Sequence, residues 1–403
     1  MPISSSTSSS DVTVGSAAVS PEPQGLRWAW SRLPVIRWTA AWLVCAEIAV
    51  AVLGPLVVPD WLYLRMYLGQ QSLTSTRSFV NTSDSYLMWD PVTGWRNRPS
   101  GHRSSWQVDE RGARMSTAHH DTAALQVLFL GDSVTNGGTG VSNDETVSAL
   151  VEDMQTASTN LATMLYGVDQ AYLALSGQLH DSRPAVIVVG LTETGVEGLG
   201  NRYIPLRRRT EANMPFLKPR FVVQDGKLRL LALPPIAAYD DLLGGATLLT
   251  ELATTDDYYQ NFSAYRRCGF LPVSGMAWAA WGKAANFLDA WRGVTPYSDV
   301  LAALMGKIVE EGSWRGARTV FVLNATAVQA RPPRWRRVFP DRYARLLRQL
   351  RNSGFVVLDA RDALLKSDRP LDELYSADGI HYRVEGNRAI AAALRPLLRG
   401  NGS

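Results

Sequence analysis

The stretch Val127–Asn136, VLFLGDSVTN, decides the fold of this chain. Its first four residues, Val127 to Leu130, are all apolar and have the length of a fully buried strand, and Gly131-Asp132-Ser133 then breaks the run with a tight turn. A serine at the end of a parallel strand lies at the carboxyl edge of the sheet, where open α/β sheets bind ligands. Ser133 is therefore a candidate nucleophile, although Gly-Asp-Ser is also ordinary turn chemistry in which Asp and Ser cap a following helix.

A second stretch near the other end of the chain, Ser376–Asn387 or SADGIHYRVEGN, supplies two partners for such a serine. Asp378 and His381 are three residues apart, just before the helix-like stretch Glu385–Leu398, so one turn can present both side chains to the same space. A serine becomes a good nucleophile when a base takes its proton and a third group fixes the tautomer of that base. The alternative is that Asp378 and His381 form only a hydrogen-bonded loop pair.

These motifs resemble those of the SGNH/GDSL hydrolase family. FLGDSVTNGGTGVSNDETVSALVEDM resembles the first block of that family, DGIHYRVEGNRAIAAAL its last block, and NLATMLYGVDQAYLAL (Asn160–Leu175) a second block common among bacterial members. The resemblance runs from about Asp90 to the C-terminus. It implies a catalytic triad of Ser133 as nucleophile, His381 as base and Asp378 as the acid that orients it.

The same resemblance identifies the groups expected to stabilise the oxyanion, and here the chain departs from the family pattern. The family uses a block-two glycine, where this chain has Leu165 with Gly167 two residues on. It also uses a block-three asparagine, which VIVVGLTETG lacks, so Thr192 or Thr194 would have to replace it. The expected oxyanion hole is Ser133, Gly167, Thr192 and Thr194, or one with fewer donors; losing one donor typically costs about 10²–10³ in rate.

Composition excludes several other classes of function. A net charge of +4 over 403 residues is too small to predict a nucleic-acid partner. The two cysteines form no plausible metal set or disulfide framework, and the five histidines show no clear metal-ligand spacing. We therefore expect no metal and no other cofactor.

The N-terminal region predicts a membrane anchor. Residues 1–25 are rich in Ser, Thr, Val and Pro and are expected to be disordered. Residues 38–58 then carry a single charge, Glu47, and are long enough to cross a hydrocarbon core about 30 Å thick as a transmembrane helix. Tryptophan and tyrosine residues resemble interfacial belts at its two ends: Trp38, Trp42, Trp61 and Tyr63. A buried amphipathic helix is the alternative, and a cleaved signal peptide fits less well.

Charge around this segment predicts its orientation. Arg27, Arg32 and Arg37 precede it, so the positive-inside rule weakly favours a cytoplasmic N-terminus, a single pass through the cell membrane and an extracytoplasmic catalytic domain. Residues 59–88 are expected to be a linker, and residues 89–403 the SGNH hydrolase-like domain. Trp89–Ser116 resembles a lead-in that some membrane-anchored bacterial SGNH proteins carry, and we expect it to pack near the rim of the site.

The body alternates apolar strand candidates with helical patterns, which predicts a parallel sheet with helices on both faces. The strand candidates are Val127–Leu130, Thr159–Ala162, Val186–Val189, Val320–Leu323 and Val356–Leu358. The predicted fold class is α/β, a three-layer α/β/α arrangement around a five-stranded parallel, flavodoxin-like sheet. The family resemblance implies the same arrangement.

An insertion, residues 196–297, separates the third and fourth strands and is expected to form a cap that selects the substrate. Two short strand patterns flank Asp225-Gly226, a good hairpin turn. Trp278 and Trp281 could stack on sugar rings, although aromatic residues at helical spacing more often belong to a core.

The sequence thus predicts a membrane-anchored serine esterase that removes acyl groups, in particular acetyl, from a carbohydrate or polysaccharide ester. Two alternatives remain open. The same triad would serve a polysaccharide O-acyltransferase, in which a sugar hydroxyl replaces water. The departures at Leu165 and in block three fit a polysaccharide-binding or assembly factor with weak catalysis. The oligomeric state cannot be predicted.

Overall fold

The computed structural model describes residues 24–68, 86–103, 106–116, 123–138, 140–178, 183–207, 216–235, 247–269, 297–334, 337 and 340–400. Within these ranges the strands are β1 (Leu87–Asp90), β2 (Gly94–Asn97), β3 (His102–Arg103), β4 (Trp106–Gln107), β5 (Leu125–Leu130), β6 (Thr156–Asn160), β7 (Val186–Leu191), β8 (Arg220–Gln224), β9 (Lys227–Leu231), β10 (Arg318–Leu323) and β11 (Val357–Asp359).

The α-helices of the same ranges are α1 (Gln24–Val57), α2 (Asp60–Leu68), α3 (Ser133–Asn136), α4 (Val147–Val151), α5 (Val168–Leu173), α6 (Glu193–Glu197), α7 (Ile204–Arg207), α8 (Thr247–Thr255), α9 (Tyr259–Ala264), α10 (Ser298–Trp314), α11 (Ala327–Ala330), α12 (Arg342–Asn352), α13 (Ala360–Lys366), α14 (Leu371–Leu374) and α15 (Val384–Leu398). Single 3₁₀ or π turns occupy Asn143–Glu145, Ala174–Gln178, Gly198–Gly200 and Tyr265–Gly269.

Five parallel strands form the central sheet, in the order β11-β10-β7-β5-β6. Counted along the chain, this is the 2-1-3-4-5 order of flavodoxin-like folds. In register, Phe129 lies opposite Val188 of β7 and Asn160 of β6, and Phe321 of β10 lies opposite Val189. The predicted three-layer α/β/α class with a five-stranded parallel sheet is confirmed.

Both faces of the sheet are covered by helices because its strands are apolar on both sides. Leu128, Ile187 and Phe321 pack on one side with residues of α5, α10 and α12. Alternate strand residues such as Val127 and Val188 pack on the other side with α4, α13 and α15. These two clusters are the core, and they fix where each strand ends and its following loop begins.

The insertion after β7 contains the predicted hairpin. β8 and β9 pair antiparallel around Asp225-Gly226, and both turn residues have positive φ, +52° and +72°. That is the backbone of a two-residue type I′ turn, which Asp-Gly favours. The segments around Trp278 and Trp281 lie outside the described residues, so their predicted role on sugar rings stays a prediction.

The N-terminal helix α1 is longer than the predicted segment, and its stretch Pro34–Gly54 is long and apolar enough to cross a membrane. Large apolar side chains on it are exposed, including Trp38 and Trp42. Length and composition alone leave the membrane span a prediction, since a signal sequence passes the same test.

The predicted linker, residues 59–88, carries regular secondary structure at both of its described ends. Asp60–Leu68 is helix α2, and β1 begins at Leu87. Tyr63, Leu64 and Tyr67 of α2 are buried against Leu249, Phe262 and other apolar residues of the insertion. Tyr63, expected in an interfacial belt, is only 2% exposed, because the insertion more than a hundred residues downstream covers it.

Candidate active site

The site lies where the strand order of the sheet reverses. From β5 the chain continues to β6 on one side, whereas β7 pairs on the other side. The loops after β5 and β7 therefore diverge and leave a crevice at the carboxyl edge, the usual ligand position in open α/β sheets. Ser133 follows β5 and Thr192 follows β7.

Ser133 is the first residue of the short helix α3, so its backbone N–H has no partner within that helix. Asp132 caps the helix by accepting a 3.0 Å hydrogen bond from the N–H of Val134. The Ser133 Oγ atom lies 2.8 Å from Nε2 of His381. The turn chemistry and the nucleophile interpretation are therefore compatible, because Asp132 supplies the cap while the Ser133 hydroxyl faces the imidazole.

The loop 376–381 positions the histidine. Nδ1 of His381 lies 2.6 Å from Oδ2 of Asp378. The other oxygen of this carboxylate, Oδ1, accepts hydrogen bonds from the N–H groups of Ile380 (2.8 Å) and His381 (3.0 Å), and the Ser376 hydroxyl lies 2.8 Å from it. A carboxylate held at one oxygen can offer the other to the imidazole in only one orientation.

These hydrogen bonds also set the charge of Asp378. Partial burial alone would raise the pKa of this carboxyl, but the hydrogen bonds from His381, the N–H of Ile380 and the Ser376 hydroxyl outweigh burial and bring its pKa well below the usual range. Asp378 is consequently a carboxylate at every pH where the protein would work. A fixed negative charge beside Nδ1 keeps the proton of neutral His381 on that nitrogen and leaves Nε2 free to accept one.

The structure thus brings together the three residues of the predicted triad, Ser133, His381 and Asp378, across 248 positions of sequence. The distances and order of contacts are those of a nucleophile, its base and the group that orients the base. Their catalytic role itself remains a prediction.

Two of the expected oxyanion donors are already engaged. Thr192 Oγ1 donates its only proton to Oδ2 of Asp132 at 2.8 Å and accepts from the N–H of Gly195, capping α6. The N–H of Gly167 donates to Oε1 of Gln170 at 3.2 Å. In this arrangement neither group has a proton left for a reacting oxygen.

Leu165, at the position where the sequence resemblance placed a glycine, has a backbone conformation that glycine adopts readily. Its φ is +61°, in the left-handed region that L-residues other than Asn and Asp rarely enter. Thr163, two residues before Leu165, donates its N–H to the carbonyl of Gly131 at 2.9 Å, and this bond connects the turn to the loop that carries Ser133. Thr194, the remaining expected donor, lies in the first turn of α6, and its carbonyl accepts from Arg207 at 2.7 Å.

Asp132, which accepts the hydrogen bond of the Thr192 hydroxyl, is a buried acid next to the candidate nucleophile. Burial raises the pKa of this carboxyl, against the lowering effect of hydrogen bonds from Thr192, Thr135 and Val134. The buried acid group adjacent to the nucleophile was not among the predicted site residues. Asp132 is part of the Gly-Asp-Ser motif, but nothing in the sequence indicates its contact with Thr192, sixty positions away.

Arg114 of the lead-in is a second residue that sequence reasoning missed. Its guanidinium group donates to the carbonyls of Asn136 (2.9 Å), Gly138 (2.9 Å) and Val141 (2.6 Å) in the loop after α3. Burial lowers the pKa of Arg114 to about 10, against the opposing effect of Glu145. A Cβ at Gly138, whose φ is +62°, would lie 2.7 Å from Cδ2 of His381, so this loop forms the wall behind the imidazole.

Among the described residues, no group of three His, Cys, Asp or Glu side chains is arranged to hold a metal ion. The residues brought together at the sheet edge are instead a hydroxyl, an imidazole and a carboxylate. Chemically, such a set can activate an alcohol for attack on a carbonyl carbon.

No protein-family model matches the chain, and no curated protein matches it. Similar solved structures include LAE5, an α/β hydrolase from the metagenome of Lake Arreo (13% identity, 70% of this chain and 98% of that one, TM-score 0.37). Others are a lipase/acylhydrolase from Enterococcus faecalis (12%, 68% and 96%, 0.34) and the acetylxylan esterase Axe2 from Geobacillus stearothermophilus (12%, 70% and 95%, 0.35). Values this low do not identify the reaction of this chain, which has to be inferred from its own side chains.

Proposed function

We propose that this protein is a membrane-anchored serine esterase of the SGNH type that removes acyl groups from a carbohydrate ester. The observation that carries the proposal is the unbroken contact from Ser133 Oγ through His381 to Asp378, with distances of 2.8 and 2.6 Å. Hydroxyl, imidazole and carboxylate in this order are what acyl transfer through a covalent intermediate requires.

In the first half-reaction, Nε2 of His381 takes the proton of Ser133 as Oγ attacks the ester carbonyl carbon. Asp378 stabilises the imidazolium that forms, because its carboxylate stays ionised beside Nδ1. The imidazolium then gives its proton to the departing alcohol, the ester C–O bond breaks, and an acyl-Ser133 remains. Water attacks this acyl group with His381 again as base, releasing the acid and restoring the serine.

The oxyanion formed in each step needs hydrogen-bond donors. The N–H of Ser133 at the start of α3 and the N–H of Leu165 in the block-two turn are the donors we assign. Leu165 replaces Gly167 in this role because the Gly167 N–H is bonded to Gln170. Because Thr192 donates to Asp132, the site has two backbone donors for the oxyanion. Lacking one such donor typically lowers the rate by about 10²–10³-fold.

The membrane location is supported by α1, whose stretch Pro34–Gly54 can span a bilayer, and by Arg27 and Arg32, which precede that stretch. The catalytic domain would then be extracytoplasmic. α2 packs on the insertion, with the Tyr67 hydroxyl donating to the carbonyl of Leu206, so the body would stay close to the membrane. An acylated polysaccharide at the cell surface is the substrate class that fits this location and the family resemblance.

The decisive experiment measures hydrolysis of a small acetyl ester by the full-length protein in detergent. We expect Ser133→Ala to reduce the rate by at least about 10³-fold, because the hydroxyl of Ser133 is the group that would form the acyl intermediate. Ser353→Ala, a serine on the surface after α12, is the matched control and should keep the wild-type rate. Equal rates for wild type and Ser133→Ala would refute the esterase assignment.

The same preparation separates the two alternatives. Incubation with an acetyl donor and an added glycan distinguishes free acetate, the product of an esterase, from acetylated glycan, the product of an O-acyltransferase. A protein that binds an acetylated polysaccharide but yields neither product, and whose Ser133 resists labelling by a phosphonate, would be the binding factor.

A further inference from the structure

The turn around Leu165 contains a strained backbone conformation that the residue type at this position does not explain. Leu165 has a φ of +61°, although it is not glycine, asparagine or aspartate. For an L-residue this conformation costs about 1–2 kcal/mol relative to the right-handed one. Such a residue persists only where its surroundings over-determine the backbone, so neighbouring groups must hold this turn.

The contacts that hold it come from the hairpin β1–β2 of the lead-in, on both sides of Leu165. The indole Nε1–H of Trp95 donates to the carbonyl of Met164, the residue before Leu165, at 2.8 Å. The hydroxyl of Tyr166, the residue after it, donates to the carbonyl of Trp95 and lies 2.9 Å from Thr93 Oγ1. The peptide unit before the strained residue and the side chain of the residue after it are therefore both bonded to one buried hairpin.

The downstream end of the turn is fixed to the same hairpin. Gln170 accepts the N–H of Gly167 and donates its amide N–H to the carbonyl of Thr93 at 2.7 Å. The side chains of Thr93, Trp95 and Gln170 are completely buried, and the two hydrogen bonds of Gln170 are shielded from water.

The hairpin also packs tightly against the insertion. The Trp95 ring stacks on Phe216 with centroids 4.7 Å apart. Gly94, with φ +92°, passes so close to the carbonyl of Leu217 that a Cβ would collide with it. Next to it, Lys218 forms a buried ion pair with Asp169, in the first turn of α5. The insertion thus backs the hairpin while the hairpin holds the turn.

We propose that Trp95 is a positioning residue for the oxyanion hole: it keeps Leu165 in the left-handed conformation, so that the Leu165 N–H stays available to the reacting oxygen. The inference rests on the proposed function and deepens it. Donors that are already oriented when charge develops contribute most to rate. A turn that relaxes to the right-handed conformation would turn this N–H away without affecting the triad.

The first test replaces only the donor. Trp95→Phe keeps an aromatic ring against Phe216 and removes the N–H that holds the Met164 carbonyl. We expect kcat for the small acetyl ester to fall about 5- to 30-fold, the population change that a 1–2 kcal/mol preference implies, with KM unchanged within about twofold. Trp314→Phe, an exposed tryptophan at the end of α10, is the control and should leave both constants unchanged. An unchanged kcat in Trp95→Phe would overturn the proposal.

The second test asks whether Trp95 acts through the conformation of Leu165. Glycine adopts positive φ about as readily as negative φ. In a Leu165→Gly background, the further loss of kcat caused by Trp95→Phe should therefore shrink to less than about threefold. An equal fold loss in both backgrounds would mean that Trp95 acts in another way, and the proposal would fail.

Amide hydrogen exchange of the full-length protein distinguishes this proposal from the proposed function. In Trp95→Phe we expect faster exchange in residues 164–167 and unchanged exchange in β7. If wild type and Ser133→Ala hydrolyse esters equally, the esterase assignment fails, and the exchange data still decide whether the hairpin holds the turn. Unchanged exchange in residues 164–167 would overturn the inference whatever the activity.

Discussion

The two sides of the candidate site are built in different ways. On the acid–base side, Asp378 and His381 are three residues apart, and the loop that carries them supplies hydrogen bonds to Asp378 from Ser376, Ile380 and His381 itself. On the oxyanion side, the turn around Leu165 is held by a hairpin some seventy residues upstream and by an insertion some fifty residues downstream.

This difference teaches which part of the site depends on contacts between distant segments of the chain. The acid–base side is held by contacts within one short loop, residues 376–381. The oxyanion side has Leu165 in a conformation that glycine adopts readily, and tertiary contacts enforce that conformation.

The largest expected effect is on the acid–base side. In Asp378→Asn the amide oxygen should keep the place of Oδ1, where it accepts from the N–H groups of Ile380 and His381. The NH₂ group would then face Nδ1 of His381 and force the proton onto Nε2, the wrong tautomer for a base. We expect kcat to fall about 10³- to 10⁴-fold with little change in fold stability.

Steady-state kinetics and thermal unfolding of the same samples check this prediction. Asp299→Asn, an exposed aspartate at the start of α10, is the control for a change of one charge. A loss of less than tenfold in Asp378→Asn would mean that the local loop does not set the tautomer of His381.

The next prediction tests whether the acid–base side also depends on a distant residue, Arg114. Arg114→Met leaves three buried carbonyls without their donor in the loop behind His381. We expect a loss of about 3–5 kcal/mol in the free energy of unfolding, the usual cost of breaking a buried charged network. Arg111→Met, whose side chain is exposed, should change it by less than about 0.5 kcal/mol.

Denaturant unfolding of the two arginine variants gives this comparison directly. Similar losses for Arg114→Met and Arg111→Met would show that the lead-in does not support the wall behind His381.

The last effect is a dependence of stability on pH and concerns Asp132, which is adjacent to Ser133 and contacts Thr192. Its pKa is raised by burial, so the folded protein binds more protons at this group than the unfolded chain does. By linkage, wild type must lose stability relative to Asp132→Asn as the pH rises above about 4, by at most about 1.4 kcal/mol per pH unit.

Unfolding of wild type and Asp132→Asn between pH 4 and 8 measures this slope. A stability difference that stays constant, or one that favours wild type increasingly at higher pH, would contradict a raised pKa for Asp132.

Much of the fold could be predicted because local patterns, apolar runs and turn residues, specify its elements. The apolar runs that became β5, β7 and β10 begin or end within about two residues of the predicted bounds, and the turn at Asp225-Gly226 forms as its residues require. Helix α2 could not be predicted in the same way. Its segment follows a candidate membrane span, and Tyr63 and Tyr67 are buried only because the distant insertion packs over them.

The sequence alone determined the class of the fold, the position of Ser133 at the end of a strand, and the pairing of Asp378 with His381, because periodicity, turn chemistry and short spacing act over a few residues. Only the tertiary structure decided which groups remain free to donate. The Thr192 hydroxyl donates its hydrogen bond to Asp132, sixty positions away, and Leu165 adopts a conformation typical of glycine while Trp95 holds the carbonyl of Met164. A hydroxyl has one proton and a backbone has one conformation at a time, and which partner receives them depends on contacts that no local pattern encodes.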